Sequence, residues 1–172
     1  RGLAVATDRL KGHPYAHRPS ESSSATWADI DLNQPWTLPW APWIAPGLPL
    51  LRAGLSVAEV MMNMAGNTCA SDRPFCFVSQ DELPSGEAYE AYISRTKRIP
   101  TRNNLHDLFN AACWLRFPAI KRRLNDLQSA ELVRLGVGST RGPVRDALTL
   151  FDENAILVSG PAPLRDAMLV RD

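Results

Sequence analysis

The sequence predicts an α+β fold: a mainly helical single domain with a small sheet or β-hairpin and an extended Trp/Pro-rich N-terminal wrap. Three observations carry this. Apolar residues recur at helical spacing in several segments between residues 56 and 135. The short run FCFV at 75–78 is bounded by Pro74 and the polar stretch QDELPSGE, which is the pattern of a short buried strand. Prolines crowd residues 35–49 and forbid a long helix or a central strand there.

Size and composition set the frame. At 172 residues the chain suits one domain of ordinary size, and its 45 % apolar content is enough for a core. We expect a flexible polar segment over 1–26, a globular domain over 27–158, and a C-terminal tail or short helix over 159–172. The net charge of +1 gives no field that would gather nucleic acid or an anionic membrane. No apolar run approaches the roughly 20 residues of a spanning helix, and no signal peptide is visible. The 3 cysteines (Cys69, Cys76 and Cys113) cannot all pair within one chain, and none has C-x-x-C or zinc-ligand spacing. They read as buried small apolar residues in a reducing compartment, so cytoplasm is the expected location.

The elements follow in order. Residues 18–26, RPSESSSAT, lack any apolar period. His13 and His17 are spaced as a helical metal pair, but Pro14 between them works against a shared helical face. Trp27, Trp36, Trp40 and Trp43 read as anchors packed on the body rather than as an aromatic ligand groove, because tryptophan buries so much area. Ser56 and Glu59 form an S-x-x-E capping box; Val60, Met61 and Met64 continue at helical spacing, and Gly66 suits the stop. After the FCFV strand, Ser85 or Gly86 opens a helix whose inner face is Ala88, Tyr89, Tyr92 and Ile93. Pro100 ends it, and Thr101 or Asn103 caps the next one.

A helix follows over residues 119–135, with Ile120, Leu124 and Leu127 inward and Gly136 at its end. Lys121, Arg122 and Arg123 in its first turn oppose the helix dipole. They read as a solvated basic surface, with a bound phosphate or a facing carboxylate as the functional alternative. In the next segment ALTLF and AILV flank DEN, a hairpin-like pattern with Asn154 able to take φ > 0. Val144, Ala147, Leu148 and Phe151 also fit a short helix running into a strand.

The chemistry concentrates in PTRNNLHDLFNAACWLRF, residues 100–117. On a wheel of about 100° per residue, Leu105, Leu108, Phe109, Ala112 and Leu115 share one face. Asn103, His106, Asp107 and Asn110 share another, with Trp114 among them. An ordinary solvent face would be rich in Lys and Glu, so this stripe suggests a site. His106 suits a general base, a proton shuttle or a metal ligand. Its helical neighbour is Asn110, four residues on, rather than the adjacent Asp107.

A second cluster holds Arg141, Arg145, Asp146, Asp152, Glu153 and Asn154. Guanidinium groups clamp carboxylate or phosphate, and spaced carboxylates suit a divalent metal such as Mg²⁺ or Ca²⁺. DEN lacks the D-x-D-x-D-G period of a calcium loop, and nucleotide-loop, nucleophile-elbow and zinc-protease motifs are absent.

Two readings of these residues stand. In the first, the protein is a hydrolase-like enzyme, metal-assisted or not, acting on a small or phosphate-bearing molecule. His106, Asp107, Arg145 and Asp152 carry the chemistry, while Asn103, Asn110, Arg141 and Asp146 bind the ligand. In the second, it is a non-catalytic binding or scaffold protein. There, helix His and Asn residues cap neighbouring loops, and Arg145 pairs with Asp152 or Asp107 in a structural network.

Three blocks, FVSQDELPSGEAYEAYI, PTRNNLHDLFNAACWLRFPAIKRRLNDLQ and RGPVRDALTLFDENAILV, resemble a bacterial family known as domain of unknown function 3025. The resemblance covers roughly Trp27 to Val158. It implies a small cytosolic bacterial protein, in a family without an assigned activity. It adds Arg102 and Asn104 to the ligand-binding candidates. It also marks His106, Asp107, Asn110, Lys121, Asn125, Arg141, Arg145, Asp146, Asp152, Glu153 and Asn154 as shared positions. Two departures stand out: the family usually has Gly where this chain has Lys97 and Ala155. Members also usually continue into further helices with another histidine-containing segment, whereas this sequence stops at Asp172; if that segment completes a site, this chain is an incomplete or degenerate copy.

Overall fold

The computed structural model of the chain describes residues 27–66, 75–136, 142–155 and 159–170. His13, His17, Cys69, Arg141 and residues 156–158 of the hairpin pattern lie outside them.

The Trp/Pro segment is not extended. It winds through single helical turns, including α1 (Ala41–Ile44) and α2 (Leu48–Arg52), each with proline in its first turn. Proline lacks a donor, but the first turn of a helix needs none, so short helices accommodate Pro39, Pro42, Pro46 and Pro49, while Pro35 lies in a turn. Ile44, Leu48 and Leu51 from this segment are buried. Trp27, Trp40 and Trp43 pack at the edge of the core, while Trp36 stays exposed. Arg116 holds the segment in place by donating to the Pro39 carbonyl and lying over the Trp40 ring.

Helix α3 (Val57–Met64) starts with the capping box read from the sequence: Glu59 accepts from the Ser56 amide at 2.7 Å, and Ser56 Oγ accepts from the Glu59 amide at 3.2 Å. Its Val57, Val60 and Met61 are fully buried. Strand β1 (Cys76–Ser79) follows, then α4 (Tyr89–Thr96) and β2 (Arg98–Thr101). The two strands run parallel, pairing Phe77 with Ile99 and Val78 with Pro100. Parallel neighbours need a crossover, and α4 supplies it. Pro100 is tolerated because a two-stranded sheet consists of edges. Strand β2 escapes a pattern reading because RIPT is short and contains a strand-breaking residue.

Between α4 and β2, Lys97 adopts the left-handed conformation at φ 59°, alone among described non-glycine residues. Glycine takes that conformation without a Cβ clash, so Lys97 carries strain that a glycine there would not. Ala155 sits in ordinary extended geometry, so nothing is strained there.

Helix α5 (Leu105–Arg116) then runs beside α1 and α3, and α6 (Pro118–Leu135) packs against α4 and α5. The buried face of α5 is Leu108, Ala111, Ala112 and Trp114; Leu105 is half exposed, so the face is rotated from the one the wheel centred on Leu105. Gly136, at φ 76°, ends α6 as expected. The DEN segment is no hairpin turn. It forms the last turn of α7 (Pro143–Asn154), the helical alternative of the sequence reading, and α7 packs on α6. A further helix, α8 (Ala162–Leu169), has no buried residue.

Cys76 is buried but disulfide-bonded, which corrects the reading of the cysteines as free buried thiols; Cys113 is free. Among the described residues no helix is long and apolar enough to cross a membrane.

Candidate functional site

The start of α5 is built from its own local sequence. Asn104 Oδ1 caps the helix by accepting from the Asp107 amide at 2.7 Å. The cap fixes Asp107 in the first turn, where the helix dipole favours a carboxylate. Asp107 is buried, and its oxygens accept from the Arg102 amide (2.7 Å), Arg102 Nε (3.1 Å), Arg102 Nη2 (3.0 Å) and His106 Nδ1 (2.9 Å). Burial alone pushes this carboxyl up, but the hydrogen bonds from His106 and Arg102 outweigh it and hold the pKa at about 2. The contact with Asp107 in turn raises the His106 pKa, against opposing desolvation.

His106 and Asp107 therefore meet although they are adjacent on the helix. Asn110, the neighbour expected for His106, instead donates to the Tyr89 hydroxyl at 3.4 Å. Because Asp107 is ionised it can only accept, so the shared proton belongs to His106 Nδ1. In the neutral ring Nε2 then carries the free lone pair. The imidazole is 68 % exposed, whereas the carboxylate behind it is 7 % exposed.

This group stands at a cavity of about 1000 Å³ walled by α4, α5, α6 and α7. Most of the polar stripe faces it: His106, Asp107, Asn110 and Trp114, with Arg102 beside them. Across the cavity, Lys121 of α6 and Asp152 of α7 form a close ion pair, with Nζ 2.7 and 2.8 Å from the two carboxylate oxygens. Lys121 is buried and lies over the Trp114 ring at 5.7 Å. The solvated-surface reading thus fits the exposed Arg122 and Arg123 but not Lys121. Its place in a helix first turn follows from its partner, not from the dipole.

Asn125 and Gln128, one and two turns on from Lys121, are buried beside it, and Asn125 Nδ2 donates to the Glu90 carbonyl at 3.2 Å. Burial, followed by the charge of Asp107, raises the Tyr89 pKa, so its hydroxyl stays protonated. Burial likewise raises Cys113 and keeps it a thiol rather than a nucleophilic thiolate.

Other candidates lie apart. Asn103 Oδ1 is committed to the Val57 amide at 2.8 Å, capping α3 rather than facing the cavity. Asn104 is the α5 cap. Arg145 sits outside the cavity lining with its Nε buried and unpartnered, and it makes no ion pair with Asp152 or Asp107, which are held by Lys121 and Arg102. Asp146 is exposed in the first turn of α7. Among the described residues no three His, Cys, Asp or Glu side chains gather as a metal-ligand group.

The pattern reading overlooked Tyr89, taken as core, and Gln128. A signal existed for the second: Lys121, Asn125 and Gln128 recur at i, i+4 and i+7, a polar stripe on α6 matching that on α5.

Fold and cavity together define a small, mainly helical α+β protein with a ligand-sized cavity lined by both polar and apolar side chains. The model of a family described as protein of unknown function (DUF3025) matches residues 75–171, and the chain belongs to that family. The match begins after the Trp/Pro segment and α3. No curated protein and no solved structure matches the chain.

Proposed function

We propose that the protein is a hydrolase-like enzyme in which His106 is the general base. One observation carries this reading: the chain Arg102–Asp107–His106 at the cavity, with an exposed imidazole backed by a buried, fully bonded carboxylate. Asp107 holds the ring in the Nδ1–H tautomer and stabilises the imidazolium that forms. Nε2 takes a proton from a cavity water as that water attacks the substrate, and returns it to the leaving group. Arg102 is a positioning residue that anchors Asp107.

The test is a panel of chromogenic esters, amides, phosphoesters and glycosides, with His106→Gln as the variant. General-base catalysis contributes about 10²–10⁴-fold, so turnover should fall by that order while the melting temperature holds. Unchanged turnover in the variant removes His106 from the chemistry. The alternative is a non-catalytic binding or scaffold protein. The observation that favours it is the buried set Lys121, Asn125 and Gln128, which would then be a structural network. On that reading the wild-type chain turns over nothing in the panel.

A further inference from the structure

The cavity that carries His106 is lopsided in charge. Among the described residues its lining holds four carboxylates, Glu90, Asp107, Asp152 and Glu153, against two permanent cations, Arg102 and Lys121. Both cations are already engaged within the wall, Arg102 by Asp107 and Lys121 by Asp152. The carboxylates of Glu90 and Glu153 make no hydrogen bond or ion pair among the described residues. Glu153 is exposed and Glu90 half-buried, so neither is sealed from solvent.

These two groups stand close to the chemistry. The His106 pKa is raised chiefly by the bond to Asp107, and the charge of Glu153 adds to it. The Tyr89 hydroxyl is kept protonated chiefly by burial, and the charges of Asp107, Asp152 and Glu90 add to that. A charge open to solvent is felt only over about 10 Å at ordinary ionic strength. Glu153 is therefore near the imidazole, and Glu90 near the Tyr89 hydroxyl.

The wall also shows how it receives a cation. The Lys121 ammonium lies 2.7 and 2.8 Å from the Asp152 oxygens and 5.7 Å from the centre of the Trp114 ring. Tyr89 and Phe109 add further aromatic rings to the lining. Rings beside carboxylates suit an ammonium or guanidinium group. A phosphate or carboxylate ligand would meet two unpaired negative charges and no uncommitted permanent cation among the described lining residues. A neutral ligand would draw nothing from either charge. The volume of about 1000 Å³ is at the upper end of small-molecule sites.

We infer that the cavity takes a cationic small molecule, an amine or guanidine, whose charged group is held by Glu153 beside His106, with Glu90 adding to the attracting field. This deepens the proposed function: it rests on the cavity being the ligand site, and it replaces a phosphate-bearing ligand with a positively charged one.

The experiment is isothermal titration calorimetry of the full chain at low salt with probes of one chain length: cadaverine, pentylamine, pentanediol and glutarate. The amines should bind, and the diol and the dicarboxylate should not. Glu153→Gln should weaken amine binding about threefold to tenfold, Glu90→Gln should weaken it less, and added NaCl should weaken it in the wild type. Asp126→Asn removes an exposed carboxylate of α6 outside the lining and should leave binding unchanged. Binding of glutarate or pentanediol as tight as that of the amines overturns the inference, as does silence from every probe. Amine binding that ignores Glu153→Gln, or that falls equally with Asp126→Asn, overturns the placement in the cavity. Amine binding shared by wild type and His106→Gln, with no amine-bearing ester or amide cleaved by the wild type, supports this inference while removing the hydrolase reading. Cleavage of neutral chromogenic substrates without any amine binding removes this inference and leaves that reading standing.

Discussion

The two ion pairs of the cavity, each with one buried member, are held in opposite ways. Asp107 finds its partners within five residues of chain: Arg102, Asn104 and His106. Asp152 finds its partner on another helix, 31 residues away in Lys121. The first arrangement is a property of one helix start and exists as soon as that helix is capped. The second exists only once α6 and α7 have packed. The difference separates a site made by local sequence from a wall made by tertiary assembly.

Breaking the long-range pair should cost most. Asp152→Ala leaves the Lys121 ammonium buried without a partner, and such a loss costs about 3 kcal/mol or more, which a denaturant melt will show. Lys121→Met in the same background should recover much of that loss, since the stranded charge is removed as well. A melt in which the double variant is no more stable than Asp152→Ala contradicts the buried-charge account.

The local pair should show itself in acid. Asp107 ionises more readily folded than unfolded, so its stabilisation is complete well above its ordinary pKa of 3.8 and is lost as pH falls towards about 2. A displacement of that size is worth about 2 kcal/mol. Asp107→Asn should therefore flatten the acid limb of a stability profile between those values. His106 has the opposite sign. Its pKa is raised on folding, so its contribution is present below 6.5 and fades as pH rises past the folded value.

Smaller effects sharpen the contrast further. Lys97→Gly replaces a left-handed residue by the one suited to it, and the chain should gain up to about 1 kcal/mol, read as a small rise in melting temperature. His106→Ala should move stability least of all, by less than about 0.5 kcal/mol, because the ring is exposed and Asp107 retains Arg102. A large loss there would make His106 a structural residue.

The same division explains what the sequence disclosed. The capping box at Ser56, the stripe on α5 and the stop at Gly136 rest on spacing within a turn or two, and all were legible. The Asp107–His106 contact was missed because wheel angles ignore the freedom of side chains in a first turn. The Lys121–Asp152 pair, strand β2 and the capture of Asn103 by α3 depend on which segments meet, and periodicity carries no such information. Prolines read as marks of extended chain, yet Pro39, Pro42, Pro46 and Pro49 sit where short helices begin.

Helix α7 contributes Asp152, Thr149 and Glu153 to the cavity but buries no residue of its own. Elements with few buried apolar contacts occupy the low end of the range of local opening free energies. Its amide protons should therefore exchange with solvent well before those of α5, whose Leu108 and Ala112 are sealed in the core. One wall of the cavity is thus far less costly to detach than the wall that carries the histidine. Passage of a ligand in or out need not disturb the packed half of the molecule at all.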